Sequence, residues 1–138
     1  MDYKKTVKKY IYERDGRKCR FCDKDLLFRQ ISLDHYVPKS KNGPDDIFNI
    51  VLSCKKCNKY KMDKILPDYD ETIIENFKQA VIDKKILESS EHLKYQELSE
   101  MIKSVDRVES IGEITIFQGK NHRFYVKDNN IFKIIHLG

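Results

Sequence analysis

The sequence lacks any long apolar run. No segment approaches the roughly 20 consecutive apolar residues that a membrane-spanning helix needs. Residues 1–5 lead into no apolar stretch of the kind that marks a secretory signal. These two absences argue against membrane and secreted proteins, and we expect a soluble, cytoplasmic one. The length of 138 residues suits one domain with a modest core and at most an appendage.

Acidic residues are in the minority, and their distribution is uneven. The chain has 27 Lys and Arg against 22 Asp and Glu, for a net charge of +5. Residues 1–64 contain 17 basic and 9 acidic side chains, a net +8, whereas residues 65–138 contain 10 and 13, a net −3. Basic groups that neutralise phosphates release counterions, so the first half is suited to nucleic acid. A solvated, lysine-rich surface is an alternative explanation.

Cysteine is scarce and grouped. The four cysteines form two Cys-x-x-Cys pairs, Cys19 with Cys22 and Cys54 with Cys57, separated by 31 residues. Two such pairs are typical of a tetrahedral zinc site whose closed shell of thiolates organises the fold. Two disulfides are disfavoured without a secretory signal, and a thioredoxin-like redox pair would use only one of the motifs. We therefore predict a structural Zn²⁺.

The stretch between the two pairs reads as strand, loop, strand and helix. Apolar and polar residues alternate over 31–37, which predicts a strand that Pro38 ends. Turn-forming residues fill the next eight positions. Residues 49–52 suit a second, short strand, after which Ser53 can cap a helix over 54–64.

Short motifs around the cysteines carry a family resemblance. They are Arg14-Asp15-Gly16, Asp34-His35-Tyr36-Val37-Pro38, Asn49-Ile50-Val51-Leu52 and Cys54-Lys55-Lys56-Cys57-Asn58-Lys59-Tyr60-Lys61. In type, order and spacing they resemble the zinc-bearing branch of the HNH endonuclease family, over roughly residues 5–64. The resemblance implies a ββα-metal fold that cuts DNA phosphodiester bonds with one divalent ion.

The same resemblance implies a set of site residues. His35 would be the general base that activates water, since an imidazole can accept a proton near neutral pH. Asp34, on the opposite face of the strand, would hold the catalytic Mg²⁺ together with Asn58, and Mn²⁺ could replace the ion. Many members have histidine where this chain has Asn58, so Ni²⁺ and Zn²⁺ should be less favoured as the catalytic ion. Asn49 would brace the loop and orient His35, with an Asx turn as the alternative.

Four basic residues are candidates for binding nucleic acid. Lys61 lies three positions after Asn58 on the same helical face, from which it could reach a phosphate beside the cut. Arg14, Arg17 and Arg20 could follow the phosphate backbone, and an ordinary surface position is the alternative for each.

The remaining residues are predicted to complete an α+β fold. Residues 3–14 have the spacing of an amphipathic helix, and residues 71–86 and 90–105 suit a pair of antiparallel helices. Three β-rich runs separated by turn residues predict a small antiparallel meander, at 113–117, 123–127 and 131–135. We divide the chain into a nuclease core, residues 1–66, and an extension of unknown role, residues 67–138.

Two functions compete at this point. The first is a metal-dependent DNA endonuclease with structural Zn²⁺ and catalytic Mg²⁺ or Mn²⁺, compatible with a role in restriction, in a phage or in defence. The second is a non-catalytic zinc module that binds DNA or protein. The set of Asp34, His35, Asn49 and Asn58 favours the nuclease. One such site cuts one strand, so double-strand cleavage would need a homodimer or two successive nicks.

Overall fold

The fold combines helices with two separate β-sheets, in a computed structural model that describes residues 3–90 and 92–138. This arrangement confirms the α+β class. The helices are α1 (Lys5–Arg14), α2 (Lys55–Lys61), α3 (Tyr69–Ile82) and α4 (Tyr95–Met101). The strands are β1 (Ile31–His35), β2 (Ile50–Cys54), β3 (Leu87–Glu88), β4 (Arg107–Ser110), β5 (Thr115–Gln118), β6 (His122–Lys127) and β7 (Asn130–His136).

The first sheet is an antiparallel pair of β1 and β2, followed directly by α2. Asp34 is paired with Val51 and His35 with Ile50, so the end of β1 faces the start of β2. Helix α2 packs against both strands. The result is the predicted strand, strand, helix unit, and the long loop between the strands carries the residues that surround His35.

Helix α2 is shorter than predicted and has a different cap. Its N-cap is Cys54, not Ser53, because the Cys54 sulfur accepts a hydrogen bond from the Cys57 N–H at 3.4 Å. The helix ends at Lys61, since Met62 adopts a positive φ of 50°. The second cysteine pair therefore spans the cap and the first turn of a helix, where exposed N–H groups favour negative charge.

The second sheet contains the predicted meander and two further strands. Its order is β3-β7-β6-β5-β4, with β3 parallel to β7 and the other pairs antiparallel. The two additional strands gave little signal in the sequence. β3 has only two residues, and β4 turns a single apolar side chain, Val108, toward the interior.

The two helices between the sheets differ from the prediction. α3 ends at Ile82 instead of reaching residue 86, because Lys84 has a positive φ of 58° and the N–H groups of Lys85 and Ile86 both return to the Ala80 carbonyl. α4 covers only seven residues and continues as a 3₁₀ turn, Ile102–Ser104. Within residues 3–90 and 92–138, no helix combines the length and apolar character that crossing a bilayer requires.

One continuous hydrophobic core joins both parts of the chain. Phe77 of α3 stacks on Phe117 of β5 with ring centroids 4.0 Å apart, and Phe48 meets Phe117 edge-on at 5.1 Å. All three rings are fully buried. Phe48 lies in the loop between β1 and β2, so the core crosses the boundary that we placed after residue 66.

Hydrogen bonds reinforce this junction. The Asn76 side chain of α3 donates to the Phe48 carbonyl at 3.1 Å. Asn129, in the turn before β7, accepts from the Ile47 N–H at 2.7 Å and donates its own N–H to Asp46 at 3.0 Å. The loop between β1 and β2 is thus held from one side by the C-terminal part of the chain.

Because the core is shared, we predict that Phe117→Ala destabilises the whole protein. The loss of a buried phenylalanine should cost about 3–5 kcal/mol of unfolding free energy. Urea unfolding followed by circular dichroism and by zinc release should show one common transition at lower denaturant. Phe132→Ala is the matched control, since that ring is 44% exposed. Two separate transitions in the Phe117 variant would contradict a shared core.

Candidate active site and metal centre

The four cysteines come together at the junction of α1, β2 and α2. Their Sγ atoms all lie within 4.8 Å of one another. A tetrahedral zinc site with Zn–S bonds of about 2.3 Å would place its sulfurs about 3.8 Å apart. The cluster therefore has the composition and the dimensions of a structural zinc site, as the spacing of the cysteines predicted.

Backbone hydrogen bonds shape the loop that carries the first pair. The Cys19 N–H donates to the Lys24 carbonyl at 2.9 Å, and the Asp23 N–H donates back to the Cys19 carbonyl at 3.0 Å. The Arg20 N–H then binds the Leu52 carbonyl of β2 at 2.9 Å. This last bond attaches the first pair to the strand that leads into the second pair.

The electrostatics of the cluster favour a bound cation. Burial raises the pKa of Cys19, but N–H groups of Cys54, Cys22 and Phe21 outweigh it and lower the value to about 7. The pKa of Cys57 is instead raised to about 12 by burial and by the neighbouring cysteines. One thiolate forms readily, whereas further thiolates at this distance repel it. A divalent cation at the centre removes that repulsion, so the donor set fits Zn²⁺.

Arg14 supports β2 from within the protein. Its side chain is 3% exposed, donates to the Ile47 carbonyl at 3.0 Å and pairs with Asp15 at 2.8 Å. Asp15 in turn accepts from the Leu52 N–H at 2.8 Å. The guanidinium that we considered for phosphate binding is thus enclosed and engaged with the backbone around β2.

The other two arginines occupy different surroundings. Arg17 is exposed and pairs with Glu13 at 2.8 Å along α1. Arg20 donates to the Thr72 hydroxyl at 2.7 Å and lies over the Tyr36 ring at 5.9 Å.

His35 ends β1 and is oriented by a carboxylate. Its Nε2 lies 2.8 Å from Oδ1 of Asp45, which also has the Lys39 ammonium at 3.4 Å. A carboxylate only accepts hydrogen bonds, so Nε2 carries the hydrogen and, in the neutral imidazole, Nδ1 keeps the free electron pair. The hydroxyl of Tyr3 lies 3.5 Å from the same Nε2.

Asp45 and Tyr3 were not expected at this site. The hydrogen bond from His35 is the main cause that lowers the pKa of Asp45, with Lys39 adding to it. The pKa of Tyr3 is raised to about 12 by burial and by the charges of Asp45 and Asp34. Asp45 follows Gly43-Pro44, where an aspartate is typical of a turn, and nothing in the sequence distinguishes it from such a residue.

Asn49 holds the loop beside His35. Its side chain is fully buried, and its Oδ1 accepts from the Val37 N–H at 2.9 Å. Its Nδ2 donates to the carbonyls of Val37 and Pro44 at 3.0 and 2.9 Å. These bonds reach across the loop instead of forming a local turn. Close to them, Gly43 leaves no room for a side chain, since a Cβ there would lie 1.7 Å from the Val37 oxygen.

Asp34 projects from β1 toward α2, where it meets Lys61. Its Oδ2 is buried and has no hydrogen-bond partner in the described part of the chain. The Lys61 ammonium lies 3.7 Å from that oxygen, an ion-pair distance, and donates to the His35 carbonyl at 3.1 Å. Burial raises the pKa of Asp34, while Lys61 and His35 act in the opposite direction. Lys61 itself is buried, with a side chain 3% exposed.

Asn58 lies on the same face of α2 as Lys61. Its Nδ2 donates to the Ser32 hydroxyl at 2.6 Å, and Ser32 lies two positions before Asp34 on the same side of β1. This hydrogen bond holds the amide of Asn58 against β1. The pair of β1 and α2 therefore brings together a carboxylate and an amide, the two oxygen donors expected around Mg²⁺.

Comparison with known families agrees with this geometry. Residues 19–64 match the family model described as HNH endonuclease. No curated protein and no solved structure matches the chain. The match and the four-cysteine cluster together identify residues 19–64 as an HNH endonuclease domain. Tyr3, α1 and the C-terminal sheet lie outside the matched range, although Tyr3 contacts His35 and the sheet supports its loop.

We predict that the purified protein retains one tightly bound Zn²⁺ per chain after exhaustive dialysis, as measured by elemental mass spectrometry. Removal with a strong chelator should lower the unfolding temperature, because four clustered thiols then lose their common counter-ion. Re-addition of one equivalent of Zn²⁺ should restore it, and Mg²⁺ should not. An intact fold with no bound zinc would contradict the assignment.

Proposed function

We propose that the protein is a metal-dependent endonuclease that hydrolyses DNA phosphodiester bonds, with Zn²⁺ as its structural ion and Mg²⁺ or Mn²⁺ as its catalytic ion. The observation that carries the proposal is the buried Oδ2 of Asp34, the residue before His35: in the described part of the chain it accepts no hydrogen bond, and the Lys61 ammonium lies 3.7 Å away. A buried carboxylate oxygen without hydrogen-bond donors costs free energy. A carboxylate oxygen in this position is expected to be a ligand for a cation.

Charge and shape support a nucleic-acid substrate. The net +8 of residues 1–64 attracts phosphates over several ångströms and speeds association. A groove of about 430 Å³ runs beside β1 and is lined by Tyr3, Lys8 and Arg29. One of its lining residues, Tyr3, contacts His35, so a DNA strand lying in this groove would pass close to the base.

His35 is the general base of the proposed reaction. With Nε2 bonded to Asp45, the imidazole can take a proton from water at Nδ1. The water oxygen attacks phosphorus as its proton is lost, a new phosphorus–oxygen bond forms, and the bond to the 3′ oxygen breaks in line. The leaving oxygen takes a proton from solvent, which leaves a 3′ hydroxyl and a 5′ phosphate.

Asp34 and Asn58 are the proposed ligands of the catalytic ion. When bound, Mg²⁺ or Mn²⁺ supplies Lewis-acid stabilisation of the charge that develops on the 3′ oxygen. The contribution of the chain is to present one carboxylate and one amide oxygen from adjacent elements. Ser32 fixes the amide through the 2.6 Å hydrogen bond, and Asn49 fixes the loop from which Asp45 orients His35.

The proposed zinc site positions this machinery without taking part in the chemistry. Four thiolates leave no open coordination position for water or substrate. Because Cys54 of the second pair caps α2, the cluster fixes where α2 begins and therefore where Asn58 lies relative to β1. Among the arginines, exposed Arg17 and partly exposed Arg20 are the proposed phosphate contacts, whereas Arg14 stabilises the loop between the strands.

We predict that His35→Ala lowers the rate of plasmid cleavage with Mg²⁺ by at least about 10²-fold, the usual contribution of a general base. His92→Ala, at an exposed histidine of the C-terminal part, should cleave like the unaltered protein. Zinc content and circular dichroism should match among the three proteins. If the His35 variant cleaves as fast as the unaltered protein, His35 is not the general base. If the unaltered protein itself does not cleave, the chain is better explained as a non-catalytic zinc module.

A second prediction concerns Asp45. Asp45→Asn should lower kcat by about tenfold or more, because an amide can donate to Nε2 and favour the wrong tautomer of His35. The substitution removes a negative charge, so weaker DNA binding cannot account for the loss. Asp63→Asn, an exposed aspartate after α2, removes the same charge and should leave kcat unchanged. Equal rates for the two variants would show that Asp45 does not orient the base.

A further inference from the structure

Lys61 occupies a position that its sequence pattern did not predict. Lysine is among the residues least often buried unless it is paired, yet this side chain is 3% exposed. Its ammonium donates to the His35 carbonyl at 3.1 Å and lies 3.7 Å from Oδ2 of Asp34. Both groups belong to the proposed active site. The ammonium therefore lies inside the site and cannot contact a phosphate from its present position.

The Asp34 carboxylate is the reason for this placement. In residues 3–90 and 92–138, no hydrogen-bond donor reaches its Oδ2. The nearby ammonium supplies positive charge that offsets the cost of burying an ionised carboxylate. Lysine is suited to such a contact because it is a compact charge at the end of a flexible four-carbon stem, which can hold one position and leave it again.

A catalytic ion at Asp34 would compete with this lysine. Mg²⁺ at its usual 2.0–2.1 Å from Oδ2 would be no more than about 6 Å from an ammonium that lies 3.7 Å from the same oxygen. Like charges at this separation, partly shielded from water, repel strongly. The single negative charge of Asp34 cannot neutralise the ion and the Lys61 ammonium at the same time.

We propose that Lys61 and the catalytic ion exchange at Asp34: binding of the ion displaces the ammonium, which then turns outward toward the DNA phosphate beside the cut. The inference rests on the proposed function, in which Asp34 is a ligand. It makes Lys61 a positioning residue that keeps the carboxylate in place until the ion arrives. It also reconciles the buried ammonium with the phosphate contact that the sequence suggested.

Binding of Mn²⁺ alone, measured by electron paramagnetic resonance without DNA, tests the exchange. The measurements are made at about pH 8, because burial raises the pKa of Asp34 and a higher pH favours its ionised form. Lys61→Met should bind Mn²⁺ at least about tenfold more tightly than the unaltered protein, a change of about 1.4 kcal/mol. Lys61→Gln should do the same while keeping an N–H donor for the His35 carbonyl, which guards against a folding defect. Lys61→Arg, which retains the cation, should not.

Two controls make the result specific. Lys59→Met removes an exposed charge from the same helix and should leave the affinity for Mn²⁺ unchanged. If general electrostatics caused the tighter binding of Lys61→Met, Lys59→Met would bind Mn²⁺ more tightly as well. At saturating Mn²⁺, Lys61→Met should also show a lower kcat, since the displaced ammonium is missing from the phosphate. Tighter binding combined with slower cleavage is not expected of a lysine that only stabilises the fold.

The outcomes separate this inference from the proposed function. If Asp34→Asn binds Mn²⁺ as tightly as the unaltered protein, Asp34 is not a ligand, and both the metal site and the exchange are wrong. If Asp34→Asn loses binding but Lys61→Met and Lys61→Gln bind no more tightly than the unaltered protein, the metal site stands and the exchange is wrong.

Discussion

The meeting of four cysteine sulfurs within 4.8 Å is the constraint on which the rest of the site depends. The first pair lies on a loop after α1, and the second lies where β2 becomes α2. Holding these points together fixes the direction of α2 across β1. Asn58 and Lys61 then face Ser32 and Asp34 because they lie on one side of a short helix that starts at the cluster. A small displacement of that start would move both side chains away from the strand.

The loop between β1 and β2 has a second anchor, which is hydrophobic. Phe48 inserts into the core formed by α3 and the C-terminal sheet, and its ring meets Phe117 at 5.1 Å. Asn49, the next residue, binds the loop from within through Val37 and Pro44. The loop that orients His35 is thus fixed at its base by packing and across its width by hydrogen bonds. Asp45 lies between these two anchors, which explains how an aspartate in a turn can hold a defined position.

The sequence was most informative where function requires particular residue types at particular spacings. Two Cys-x-x-Cys pairs predicted the cluster, and alternation around Asp34 and His35 predicted β1, because both patterns follow from local geometry. The partners of these residues could not be predicted in the same way. Asp45 reaches His35 across ten positions of loop, and Tyr3 reaches it across 32. Such contacts depend on tertiary packing, which leaves no local pattern.

The burial of charged residues was the other point that the sequence could not reveal. Arg14 and Lys61 lie in a basic half of the chain, where lysines and arginines are ordinarily solvated. Their enclosure depends on what surrounds them: backbone carbonyls of Ile47 and Ile50 for Arg14, and Asp34 for Lys61. The early end of α3 has a similar origin, since the positive φ of Lys84 is imposed by the return of the chain to Ala80 and not by a glycine.

The continuity of the core through Phe48 and Phe117 has a consequence for how the first 66 residues could be reused in another protein. A module that ends at residue 66 would contain all four cysteines and every proposed catalytic group. It would also expose the inner side of Phe48 and lose the contacts of Asn76 and Asn129 with its loop. Transplanting these residues into another protein therefore requires carrying the C-terminal sheet with them, or building a substitute surface that Phe48 can pack against.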